Sequence, residues 1–259
     1  MSQSQAHRLF TIGAYPLRYL VIPKCACTYI KNLLWYLENR QLHPNQRRVH
    51  ENDSKFLRAD QIGLSDDQLA SESFAFTVLR NPVDRFFSLY TDKVVGPGHN
   101  NYVPLRRVLH ERHGLNLEAS SALEHSRNCG ILIEWLGENL KSEVDLPKDA
   151  HWTPQSYREG LIRRFDLRLL LVNDLRRQLG VFLRPMVSDI DDVLELLEKN
   201  KSEKQFPLSQ ILSPQLRNEI NSVYKRDREL FNLTNAAWEI QTHDSAVVVP
   251  PRYSSVVGG

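Results

Sequence analysis

YLVIPKCACTYIKNLLWYL, residues 19–37, is the stretch on which the reading of this chain turns. Tyr19–Ile22 is an apolar run that reads as a buried strand. Pro23 ends it sharply, Lys24–Thr28 is a loop of small residues, and a helix follows. Ile30, Leu33, Leu34 and Leu37 fall at i, i+3, i+4 and i+7, one apolar stripe along that helix. A strand–loop–helix of this kind leaves the first helical N–H groups without intrahelical partners and aims the positive end of the helix dipole at the loop. That is a ready anion site. Lys24 adds a mobile cation and Thr28 a hydroxyl at the helix start.

Outward from this stretch, residues 38–73 are polar, a surface connection with a short helix near 65–71. FAFTVL, residues 74–79, is a second buried strand that runs straight into Arg80-Asn81-Pro82. Asn81 suits an N-cap and Pro82 the first helical position, and Val83, Phe86, Phe87 and Tyr90 repeat at helical spacing. Residues 96–104 form a loop, and helices are expected over 105–113 and 120–140. After a loop at 145–155 comes a short helix at 156–164, then a third short strand at 169–172. Asp174 caps a helix over 175–183, another helix spans 190–199, and Ser213-Pro214 opens the last one.

Strands that alternate with helices give an α/β class with a central, mostly parallel β-sheet flanked by helices. Ligands in such sheets bind beyond the carboxyl ends of the strands, and Lys24 and Arg80 both lie just past a predicted strand end. No repeat or linker divides the chain, so a single domain over 1–241 is expected, with an extended or mobile tail over 242–259.

Composition excludes several classes. The net charge is +2, too mild for a nucleic-acid binder, although local basic pockets for an anionic small molecule are allowed. No run approaches the ~18 apolar residues of a membrane span, and the first twenty residues lack the apolar core of a signal peptide. A cytoplasmic chain is expected. Three cysteines, Cys25, Cys27 and Cys129, build no disulfide framework, and the Cys-x-Cys pair is too sparse for zinc. Cys25 and Cys27 read as small residues packed under the loop.

The loop departs from the G-x-x-x-x-G-K-[ST] phosphate-loop pattern: it has no glycine, and its lysine comes first. Pro23-Lys24-Cys25-Ala26-Cys27-Thr28 instead resembles the 5′-phosphosulfate loop of sulfotransferases, closest to the carbohydrate sulfotransferase branch, sulfotransferase family 2-like. Val78-Leu79-Arg80-Asn81-Pro82, continuing to Ser88, is similar to that family's 3′-phosphate motif, where a strand-end Arg and a Ser eight residues on hold the phosphate. Weaker similarities follow at His151-Trp152-x-Pro154-Gln155, Leu171–Leu175 and Tyr224-x-x-Asp227-x-x-Leu230-Phe231. They stand in the family's order and cover roughly residues 18–232.

The resemblance implies a P-loop-like three-layer fold and 3′-phosphoadenosine 5′-phosphosulfate as donor, with no metal. The acceptor is a hydroxyl on a small molecule or glycan. Pro23, Lys24, Cys25, Ala26, Cys27 and Thr28 would hold the 5′-phosphosulfate; Arg80 and Ser88 would hold the 3′-phosphate, a task that suits arginine's paired N–H donors. A late basic loop adds Lys201. Lys24 would stabilise charge on the leaving oxygen. His50 is the first candidate for the base that takes the acceptor's proton, with Glu51 and His151 as rivals and Trp152 as a further substrate contact.

Each assignment has a plainer counterpart. Lys24 could be a solvated turn lysine, Arg80 could pair with Asp84 or Asp92, and His151-Trp152 could be a packed loop anchor. Two other functions fit the same residues: a kinase-like nucleotide-dependent phosphotransferase of related fold, and a non-catalytic nucleotide-binding scaffold. The missing Gly-Lys-[Ser/Thr] ending disfavours the first, and Lys24 with a candidate base disfavours the second.

Overall fold

A computed structural model describes residues 9–71, 74–95, 102–198, 208–244 and 249–258. Lys201 lies outside them, and so do residues 96–101 of the loop expected at 96–104, whose last two residues belong to a helix. The chain forms two compact units, each made of separate segments: residues 1–80, 155–201 and 230–259, and residues 81–154 and 202–229.

The first unit is built on a five-stranded mixed sheet. Its strands are β1 (Leu9–Thr11), β2 (Arg18–Leu20), β3 (Leu57–Arg58), β4 (Ala75–Leu79) and β5 (Arg168–Leu171), in the order β3-β1-β2-β4-β5. β2, β4 and β5 are the three expected strands, and they pair in parallel. β1 pairs antiparallel with both β2 and β3. The expectation of a mostly parallel sheet therefore holds only for the centre. β1 and β3 are too short to show a period of two, and they pair with each other across more than forty residues of chain.

Helix α1 (Cys27–Asn39) turns Ile30, Leu33, Leu34 and Leu37 into the core of this unit, as their spacing predicts. α2 (Asp66–Ser71) falls where expected. In the second unit α3 (Pro82–Leu89) starts as predicted, with Asn81 Oδ1 accepting from the Val83 N–H at 3.0 Å. α4 (Val103–His113) and α5 (Ala122–Ser142) follow there. α6 (Glu159–Arg164), α7 (Leu175–Leu183) and α8 (Ile190–Glu198) return to the first. Asp174 precedes α7 but its side chain accepts no capping bond; its carboxylate is taken by Arg177. The last expected helix is two: after α9 (Leu208–Ile211), α10 (Pro214–Val223) ends at Tyr224 and α11 (Lys225–Asp244) restarts. The Tyr224 hydroxyl donates to the Trp152 carbonyl at 2.8 Å, which fixes that break.

The expected tail is tied down over its described C-terminal part. Residues 249–258 carry a short helix, α12 (Tyr253–Val257), and dock on the open edge of β5. The Leu169 N–H donates to the Pro251 carbonyl at 2.9 Å, and the Tyr253 N–H to the Leu167 carbonyl at 3.1 Å. Prolines lack N–H groups but keep their carbonyls, so Pro250 and Pro251 suit a strand edge that presents donors. Arg168 Nη1 adds a bond to the Pro250 carbonyl at 2.6 Å.

The second unit has its own core around Trp135, Trp152, Phe86 and Tyr90. Its polar keystone is Asp145, whose carboxylate accepts from Arg112 Nη1 at 2.6 Å, His113 Nε2 at 2.9 Å and Trp135 Nε1 at 2.9 Å. The hydrogen bond from His113 leads in holding this carboxyl below the usual range, and burial opposes it. A depressed carboxyl adds stability above its unfolded pKa and loses it as pH falls through the folded value. Asp145→Ala should therefore cost roughly 3 kcal/mol near neutral pH, because three donors lose their acceptor. Calorimetric melting at neutral and acid pH checks this: the difference between wild type and variant should shrink on acidification.

Candidate active site

The turn after β2 sets the site. The Cys25 N–H donates to the Ile22 carbonyl at 3.2 Å, closing a four-residue turn with Pro23 second and Lys24 third. Proline's fixed φ suits the second position, and the third needs a positive φ, normally glycine's. Lys24 takes that place at φ 68°, and Ala26 follows at φ 56°. Two of the five non-glycine residues with positive φ among those described fall in this loop. Left-handed residues in a short turn curl successive N–H groups round one anion.

Ala26 is the N-cap of α1 and supplies no side-chain acceptor, and the first turn holds no acidic residue. The amides of Cys27 and Thr28 therefore begin the helix at a loop free of local carboxylate, where the dipole favours an anion. Pro23 and Cys25, expected to hold the 5′-phosphosulfate, have a structural part in the turn. Pro23 has no N–H, and Cys25 spends its own on Ile22 while its side chain is fully buried. Both build the turn.

The buried Gln155 ties this turn to the end of β4. Its Oε1 accepts from the Arg80 N–H at 2.8 Å and from the Cys25 thiol at 3.0 Å. Its Nε2 donates to the Arg80 carbonyl at 2.8 Å. Arg80 Nη1 donates to the Lys24 carbonyl at 3.0 Å, so Arg80 meets the loop. Beneath lies Tyr19, fully buried and stacked on Phe76. Burial, then the neighbouring Cys27 and Cys25, push its phenol well above its ordinary value, so Tyr19 itself stays uncharged.

The polar segment after α1 folds back as a 3₁₀ turn (Gln46–Lys55) and brings His50 to the loop. His50 Nε2 lies 2.7 Å from Thr28 Oγ1 and 3.9 Å from Cys27 Sγ, and Nδ1 lies 2.8 Å from Lys31 Nζ. Lys31 is almost wholly buried, a residue that its place on an apolar helix concealed. Glu51 follows His50 in the same turn; its side chain lies outside the described residues.

The remaining candidates belong to the second unit. Ser88 is half-buried in α3. His151 Nδ1 donates to Asp149 Oδ1 at 2.6 Å, and this bond leads in holding the Asp149 carboxyl low. Arg85, buried rather than on the helix surface, donates through Nη2 to the carbonyls of Ala150 and His151 at 3.2 and 3.4 Å. Trp152, expected as a substrate contact, lies in the core of this unit. It is 1% exposed and packs edge-on against Trp135 and Tyr102. Sequence reasoning missed Gln155 and Lys31 as site residues. Gln155 stood only in a weak motif, and nothing local signals an amide whose partners lie 75 and 130 residues away.

Gln155→Ala would leave the Arg80 N–H and carbonyl and the Cys25 thiol without their partner. It should cost about 2 kcal/mol and lower Tm by roughly 5 °C. Scanning calorimetry on the full chain measures it.

A family model described as the sulfotransferase family matches residues 7–234, most of the chain. No curated protein and no solved structure gives a match.

Proposed function

The chain belongs to the sulfotransferase family, and we propose that it moves a sulfuryl group from 3′-phosphoadenosine 5′-phosphosulfate to a hydroxyl of a carbohydrate or glycoconjugate. The observation that carries this reading is the loop at 23–28: two left-handed residues, a lysine and a helix start without a carboxylate, with Arg80 bonded to its backbone. The sheet is the middle of a P-loop-like three-layer arrangement in this reading.

The donor carries three anionic groups. Lys24, the amides of Ala26, Cys27 and Thr28 and the dipole of α1 receive the 5′-phosphosulfate. Arg80 presents its guanidinium to the 3′-phosphate, and the resemblance alone adds the Ser88 hydroxyl. Sulfuryl transfer, like phosphoryl transfer, is an in-line displacement in which charge grows on the leaving oxygen. Lys24 and Thr28 meet that charge. The carbohydrate acceptor rests on the likeness of residues 23–28 to the carbohydrate branch. Lys201 remains part of the proposal through the resemblance alone.

His50 was expected as the base. Both of its ring nitrogens are engaged, one by Lys31 and one by Thr28, so it stands as a partner of Thr28 and not as an imidazole open to an acceptor. His151, with Nδ1 held by Asp149, has the orientation by which carboxylates commonly prepare an imidazole.

Lys24→Ala should lower the transfer rate from labelled donor to a glycan panel by at least about 100-fold. Arg80→Ala should weaken 3′,5′-bisphosphoadenosine binding by about tenfold or more in titration calorimetry. Unchanged binding in the double variant would remove the site assignment. In thermal-shift assays the bisphosphate should raise Tm and ATP with Mg²⁺ should not; the reverse would favour a phosphotransferase. Bisphosphate binding without turnover on any acceptor would favour a scaffold.

A further inference from the structure

Thr28 and Lys31 stand one turn apart on α1 and reach the two ring nitrogens of a single imidazole, that of His50. An ammonium has three donors and no acceptor. Lys31 Nζ, 2.8 Å from Nδ1, therefore requires Nδ1 to accept. A neutral imidazole carries one proton, which then sits on Nε2, 2.7 Å from Thr28 Oγ1. Thr28 Oγ1 becomes the acceptor of that bond, and its own O–H must donate elsewhere. The Thr28 carbonyl accepts from Asn32 Nδ2 at 2.9 Å. Asn32 Nδ2 also donates to the Gln46 carbonyl at 2.9 Å, which pins the segment carrying His50 against α1.

We propose that Lys31 is a positioning residue: it fixes His50 as the Nε2–H tautomer, and His50 thereby turns the Thr28 hydroxyl proton toward the anion in the 23–28 loop. The order is Lys31 to His50 to Thr28 to the donor's phosphosulfate, every bond donated in one direction. The inference rests on the sulfotransfer reading for the identity of the anion, while the tautomer rests on the protein alone. Burial supports the design. Lys31 is 2% exposed and its ammonium also lies over the Phe10 ring at 5.1 Å, so it is anchored from two sides.

The test has a spectroscopic and a binding arm on the full chain. In long-range ¹H–¹⁵N spectra, with His50 assigned by its loss in His50→Gln, wild type should show Nδ1 unprotonated and Nε2 protonated. Lys31→Arg, which still donates, should keep that pattern, and Lys31→Met should lose it. Nδ1–H with bare Nε2 in wild type would overturn the proposal and restore His50 as a base. In calorimetry, Lys31→Met and Thr28→Val should each weaken 3′,5′-bisphosphoadenosine by about tenfold. The pair together should do no worse than Thr28→Val alone. Additive losses would overturn the relay. If no form binds the bisphosphate while the wild-type tautomer is as stated, the donor assignment fails and the Lys31–His50 pairing stands.

Discussion

The structure depends on a turn that its own residues resist. Left-handed backbone costs roughly 1–2 kcal/mol per non-glycine residue, and Lys24 and Ala26 both adopt it within three positions. Such a turn persists only if its surroundings over-determine it. Three constraints do so: the bond from Cys25 to Ile22, the grip of Arg80 on the Lys24 carbonyl, and the Cys25 thiol held by Gln155. Arg80 and Gln155 in turn fix each other through paired bonds. In the proposed reading the donor's anion would meet amides already in place, so its binding would spend little on ordering the chain.

Side chains of opposite character set the two candidate imidazoles. His50 has an ammonium at Nδ1, so its proton belongs on Nε2. His151 has a carboxylate at Nδ1, so its proton belongs there. The same residue type is thus made a donor to Thr28 in one unit and an oriented imidazole in the other. Arg85 supports the second case by holding the carbonyls of residues 150 and 151. No histidine announces its role by type; the neighbour of one nitrogen decides what the other can do.

Much of the frame was legible. The apolar runs at 19–22, 74–79 and 169–172 became the parallel strands, and the stripe from Ile30 to Leu37 became the buried face of α1. Asn81-Pro82 opened α3 as its cap chemistry dictates. These are local signals: a burial period, a cap, a break. β1 and β3 escaped because a three-residue and a two-residue strand carry no period. The docking of residues 249–258 escaped because it answers a need of β5, an edge with unspent donors, and not of the tail itself.

The sequence by itself determined the strand–loop–helix at residues 23–28, with its lysine and threonine, and the arginine at the end of the next strand, since each is fixed by residue type at a set distance from a strand end. Tertiary structure alone decided that Trp152 is core, that Gln155 joins loop to strand, and that Lys31 faces His50. Burial and hydrogen-bond partnership are relations between residues far apart in the chain. Neither periodicity nor spacing encodes which distant group fills the last donor or acceptor of a buried side chain.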